Sequence, residues 1–220
     1  MATYALIHGG GGSTWDWHLV APELRAQGHH VVAVDLPSDR PDADLWDLAD
    51  AVVAALGEAE DVIVVGHSLG GFTAPLVAER RPVRALVLLA AMIPAPGESV
   101  GDWWAATGHA EAAPESGGDE AFFHDVPPAL AAEAGAHERQ VAARAMEQPW
   151  PLTAWPAVPT HVLLAADDRF FPLAFQRRIV AERLGIEPTV VPGGHYAPIS
   201  RPREFASALL RLAGDEAPAG

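Results

Sequence analysis

The chain has 220 residues, half of them hydrophobic and a fifth charged, with a formal net charge of -15. That is enough for one α/β domain with a full core and too little for two large ones, and such acidity works against nucleic acid and anionic membrane surfaces. No cysteine is present, which removes disulfides, thiolate zinc sites and cysteine nucleophiles. No apolar run approaches the ~18 residues needed to span a bilayer, and the first seven residues lack the basic start of a signal peptide. All 14 basic residues are arginine, which with the wealth of Ala, Gly and Pro reads as codon bias. These features predict a cytoplasmic protein that meets a small molecule rather than nucleic acid or membrane. A homodimer is left open.

Taken in chain order, Tyr4 to His8 reads as a buried strand entering a glycine cluster, Gly9 to Gly12. A helix is predicted from about Trp15 to Gln27, stopped by Gly28. His30 to Asp35 is short and β-branched, a second strand. Leu45, Leu48, Ala49, Val52, Val53 and Leu56 recur at helical spacing and predict an amphipathic helix over 44–56. Val62 to Val65 is a third strand, Ser68 to about Arg80 a helix, and Val83 to Leu89 a fourth strand. Residues 92–157 then break the pattern with Pro, Gly, Ala and Trp and show no clear strand. Alternation returns with a strand over Thr160 to Ala165 and a helix marked by Phe171, Phe175, Ile179 and Leu184. Thr189 to Val191 is a short strand, and Phe205, Ala208, Leu209 and Leu212 mark a last helix. The tail from Gly214 is expected to fray. Alternating strands and helices predict a mostly parallel six-stranded sheet with helices on both faces. The whole chain, 1–220, is read as one domain in which 92–157 is an inserted helical cap, since long irregular stretches in compact domains are often lids or binding loops.

Three stretches carry chemistry. Gly66-His67-Ser68-Leu69-Gly70 matches G-x-S-x-G between a strand and a helix, a sharp turn that lifts the serine hydroxyl above the sheet edge. The helix N-terminus there favours developing negative charge. His8-Gly9-Gly10-Gly11-Gly12 can turn backbone amides toward an attacked carbonyl, and the N–H groups of Gly10 and Leu69 would form an oxyanion hole. The run lacks the G-K-[ST] ending of a phosphate-binding loop. His195, in Gly193-Gly194-His195 past the last strand, stands where a Ser…Asp/Glu…His order places the base. Among the other histidines, His67 is read as structural and His8 as support for the glycine loop. His29, His30, His109, His124, His137 and His161 read as surface or packing residues. The acid that orients His195 and stabilises its imidazolium is read as Asp168; Asp167 is the near alternative and Glu98 a more distant one. No H-x-x-x-H spacing with a helical glutamate occurs, so neither metal nor other cofactor is expected.

These stretches resemble the α/β-hydrolase superfamily, through His8-Gly9-Gly10, Gly66 to Gly71, Asp168-Arg169-Phe170-Phe171-Pro172 and Gly193-Gly194-His195. More narrowly, Trp15-Asp16-Trp17, Leu24, Gly28-His29, Val31, Ala33 and Asp35-Leu36 look like the small plant methyl-ester esterase and hydroxynitrile lyase branch. The resemblance implies Ser68, Asp168 and His195 as a triad and Gly10 and Leu69 as oxyanion donors. Ala165 departs from the glycine often found three residues before the acid. The cap matches none whose substrate can be named. Its aromatic residues Trp103, Trp104, Phe122, Phe123, Trp150 and Trp155, with Met92 after the fourth strand, are expected to line an apolar pocket for a small, largely uncharged ester, Trp103, Trp104, Met92 and Phe122 foremost. A lyase, a lactonase and a carbon–carbon hydrolase are compatible with the same triad; the absence of lysine counts against the lyase. A non-catalytic binding protein on the same scaffold is the rival from another class.

Overall fold

The computed structural model describes residues 1–114, 117–212 and 214; apart from Gly214, the tail expected to fray lies outside them. Six strands, β1 (Thr3–Ile7), β2 (His30–Val34), β3 (Val62–His67), β4 (Ala85–Leu89), β5 (Thr160–Ala165) and β6 (Thr189–Val191), form one sheet in the order β2-β1-β3-β4-β5-β6. All five pairings are parallel. Alternate residues of each strand serve opposite faces. Ala5, Ile7, Val62, Val64, Leu86 and Leu88 join one core, and Tyr4, Leu6, Ile63, Val65, Val87 and Leu89 join the other. Because both faces are covered, these strands read as unbroken apolar runs rather than as alternations.

Helices α1 (Val20–Ala26) and α11 (Pro202–Leu212) supply the second core; α2 (Leu45–Leu56), α3 (Gly70–Arg80) and α9 (Leu173–Arg183) supply the first. Helix α2 shows why its sequence folds as it does. Asp44 accepts from the Trp46 and Asp47 amides while Asp47 accepts from the Asp44 amide, a reciprocal cap. Leu45, Leu48, Ala49, Val52 and Leu56 then fall on one buried face.

The helix expected over Trp15–Gln27 is divided. The Ser13 side chain accepts from the Trp15 amide and opens a separate 3-10 turn, Thr14–Trp17, before α1 begins. The helix expected from Ser68 starts two residues later, because Ser68 adopts a left-handed φ of 51°. A short helix α10 (Ala197–Ser200) follows His195.

Between β4 and β5 the described residues form five short helices: α4 (Val100–Thr107), α5 (His109–Ala112), α6 (Asp119–Phe123), α7 (Pro128–Ala136) and α8 (Ala143–Glu147). Val100, Trp103, Ala142, Ala145 and Trp150 from this segment belong to the same core as α2, α3 and α9. Among the described residues no helix is long and apolar enough to cross a membrane.

Candidate active site

From β1 the chain moves outward to β2, then returns to the other side of β1 with β3. Loops leaving the carboxyl ends of strands at such a reversal diverge and leave a crevice. Ile7 is level with Gly66 in the sheet, so the glycine loop after β1 and the turn after β3 meet at that crevice. The turn is tightly held. The Ser68 amide donates to the Leu89 carbonyl at 3.1 Å, and the Ser68 carbonyl accepts from Met92 at 2.9 Å and Gly71 at 3.0 Å. No larger residue fits two of the neighbouring positions. A Cβ on Gly66 would lie 2.7 Å from the Gly70 carbonyl oxygen, and one on Gly71 would overlap the Met92 carbonyl. The strained serine backbone is thus fixed by β4 and by close packing of α3.

His8 sets the direction of the glycine loop. Its Nε2 accepts from the Leu36 amide at 3.2 Å, which leaves the proton on Nδ1 to donate to the Gly9 carbonyl at 2.8 Å. Burial lowers its pKa, against the Gly9 bond, in keeping with a neutral ring that uses both nitrogens. Because the peptide is planar and trans, fixing the Gly9 carbonyl turns the Gly10 N–H to the opposite side. Neither the Gly10 nor the Leu69 amide has a partner among the described hydrogen bonds. The two residues touch, a Cβ on Gly10 falling 3.2 Å from Leu69 Cδ2.

His195 and Asp168 come from the loops after β6 and β5. Nδ1 of His195 donates to Asp168 Oδ2 at 2.9 Å, and both side chains are essentially inaccessible. The other carboxyl oxygen, Oδ1, accepts from the Phe170 and Phe171 amides at 2.8 Å each, so the carboxyl cannot rotate. The alternatives have other partners. Asp167 is exposed and bonds to the Gly193 amide, and Glu98 is paired with Arg183 through two contacts of 2.9 and 3.0 Å. His67 donates from Nε2 to the His195 carbonyl at 2.9 Å. Burial, ahead of the nearby His195, holds the His67 pKa well below the usual histidine value, so it acts as an uncharged brace. No hydrogen bond joins Ser68 Oγ to His195 Nε2 among the described residues; such contacts commonly close only with substrate bound.

Aromatic rings enclose His195. Phe122, Phe170 and Phe171 lie with centroids 5.4, 5.1 and 5.3 Å from the His195 ring. Of the residues expected to line the pocket, Phe122 therefore reaches the His195 ring. Trp104 is one step removed, packed on Phe170 and His109. Met92 and Trp103 have a different place: both are buried, Met92 holds the Ser68 carbonyl through its backbone, and the Trp103 indole donates to the Ile93 carbonyl. Trp150 and Trp155 likewise donate to the Phe72 and Pro94 carbonyls. An indole needs a partner for its N–H when buried, and here the tryptophans fasten the segment to the core. The apolar slot beside Gly10 and Leu69 is walled instead by Leu45, Leu48, Val100, Val141, Ala145 and Met146 and encloses about 20 Å³, room for about one water. A second cavity, about 370 Å³, is also bordered by Gly10 and is lined by Phe122 and Tyr196 among others. The motifs pointed to Phe170 and Phe171 only as neighbours of Asp168. Val141 and Met146 gave no signal in the sequence.

The family model of the alpha/beta hydrolase family matches residues 5–208; the chain belongs to that family. Among curated relatives, the probable esterase PIR7A of Oryza sativa subsp. indica is 38% identical over 111 residues, covering 44% of this chain and 42% of the relative. Salicylic acid-binding protein 2 of Nicotiana tabacum is 37% identical over 103 residues, covering 41% and 40%. These matches thus span about two fifths of the relatives' length. Among solved structures, polyneuridine aldehyde esterase superposes with a TM-score of 0.82 over 97% of this chain and 99% of that one at 22% identity, a likeness of fold. A pyrethroid hydrolase from Sphingobium faniae JZ-2 gives 0.75 over 97% of each chain at 25% identity.

Proposed function

We propose that the protein is a serine hydrolase that cleaves a small carboxylic ester through Ser68, His195 and Asp168. The observation that carries this reading is the buried His195–Asp168 pair at 2.9 Å, set at the same sheet edge as a serine held at a φ of 51°. With Nδ1 donating to Asp168, neutral His195 presents Nε2 as the acceptor. Nε2 takes the Ser68 proton as Oγ bonds to the ester carbon. The Gly10 and Leu69 amides receive the oxyanion. The carbon–oxygen bond to the alcohol then breaks, and the alkoxide leaves with the proton from Nε2. Water, deprotonated by the same nitrogen, attacks the acyl carbon; the carbon–Oγ bond breaks, Nε2 returns the proton to Ser68 Oγ, and the acid is released. No cofactor enters this sequence. The slot of about 20 Å³ beside Leu69 suits an acyl group near acetyl size, and its apolar walls suit an uncharged one. The esterase names among the relatives support ester over lactone or carbon–carbon chemistry.

The test is a fluorophosphonate probe with a p-nitrophenyl ester series, applied to the protein and to Ser68→Ala. The expected result is labelling and turnover in the parent, both lost in the variant, with rates falling as the acyl chain lengthens. A folded parent that is not labelled would overturn the reading in favour of a binding protein.

A further inference from the structure

The cavity of about 370 Å³ beside the glycine loop differs in character from the apolar slot. Its wall carries three carboxyl side chains, Asp16, Asp119 and Glu138, and the aromatic rings of Phe122, Phe123 and Tyr196; among the described residues no arginine lines it, and His137 is the one lining group that could carry positive charge. Asp16 is the unusual member. It is 5% exposed, its backbone amide donates to the Ser13 carbonyl, and one carboxyl oxygen, Oδ2, has no hydrogen-bond partner. That oxygen lies so close to the loop that a Cβ on Gly12 would overlap it. A carboxylate buried this far is costly unless a nearby positive charge compensates it. Aromatic faces beside carboxylates are the surroundings that favour an organic cation.

The cavity is bordered by neighbours of the proposed reacting groups. Gly10 borders both it and the slot, Phe122 packs on the His195 ring, and Tyr196 follows His195 in the chain. We propose that this cavity is a cation subsite, which receives a quaternary or protonated amine carried on one arm of the substrate. That the substrate is an ester rests on the hydrolase reading above; that the cavity holds a cation does not. Burial, more than the nearby Asp35, raises the Asp16 pKa to about 7, so a bound cation would also draw off its proton.

The experiment is calorimetric titration of benzyltrimethylammonium into the Ser68→Ala protein, which removes turnover from the readout. Saturable binding is expected, weakened about tenfold by adding Asp16→Asn, the loss of one charged partner of a cation. Glu138→Gln, at an exposed position, should weaken it to a smaller extent and decides the matter if Asp16→Asn does not fold. No saturable binding, or binding that neither substitution weakens, overturns the proposal. A parallel comparison uses acetylcholine and its neutral isostere 3,3-dimethylbutyl acetate. The cationic ester should be preferred in kcat/KM, and Asp16→Asn should remove the preference; equal rates in the parent would count against the subsite. Should the fluorophosphonate fail to label Ser68 while benzyltrimethylammonium still binds, the hydrolase reading falls and the cation subsite stands.

Discussion

At the scale of single residues, two buried side chains next to the glycine loop lead to separate measurements. His8 touches no reacting atom in the proposed chemistry; it positions Gly10 through the Gly9 carbonyl. His8→Ala should therefore lower kcat by about tenfold to a hundredfold while KM changes little, short of the full loss of an oxyanion donor. Steady-state kinetics on a p-nitrophenyl ester, with circular dichroism to confirm folding, checks this. An equal rise in KM would instead point to a binding role. Asp16 bears on stability. Its pKa is raised by burial to about 7, above the ~3.9 of an unfolded chain, so the folded state holds this proton more tightly. Its stabilising contribution is full below about pH 4 and is lost as pH rises toward 7. The groups around it are Asp35, the cavity carboxyls Asp119 and Glu138, His137 and Tyr196. Asp16→Asn keeps the shape and cannot ionise. It should raise the unfolding free energy at pH 8 by an amount on the order of a few kcal/mol, and the gain should vanish near pH 4. Denaturant titrations at the two pH values give the comparison.

At the scale of elements, what was readable in the sequence follows from what decides each element. Strands β1, β3, β4 and β5 are buried on both faces, so their apolar runs marked them to within about two residues. Helix α2 carried its own cap and stripe. The turn at Thr14–Trp17 was missed because one side-chain bond from Ser13 opens it, which periodicity does not register. The small helices before β5 were not resolved individually either. Helix α7, for example, is mostly alanine with only Ala134 buried, so no stripe stands out. Ser68, Asp168, His195, Gly10 and Leu69 could be proposed from the sequence because each sits in a short motif at a strand end; the pocket residues, which sit in none, could not be placed with the same precision. The slot walls were not, since Val141 and Met146 line it only through the way the segment lands on the core. That segment is fastened at its base by the Glu98–Arg183 pair and by backbone bonds between Gly97, Glu98 and Trp150. Removing one partner leaves the other charge buried. Arg183→Met should therefore cost on the order of 3 kcal/mol in a denaturant titration. A cost near zero would mean that the pair is wet in solution.

At the scale of the whole molecule, the charge of -15 implies that the folded chain repels itself. The melting temperature should rise as sodium chloride is raised from about 10 to about 200 mM, because the screening length shortens across that range. Differential scanning calorimetry measures it, and a flat or falling profile would mean that local ion pairs outweigh the net repulsion. The proposed catalytic groups are gathered from the ends of β1, β3, β5 and β6, far apart in the chain and adjacent only in the finished sheet. The turn at Ser68 carries this furthest. Its left-handed backbone is held by Leu89 and Met92, residues that arrive only when β4 has docked beside β3 in the right register. A slip of that pair by one residue would release the turn and flatten the serine. On the proposed chemistry, reactivity toward a serine-directed reagent would be a census of chains whose central strands are correctly paired, and during refolding it should appear with the last cooperative step rather than with early helix formation.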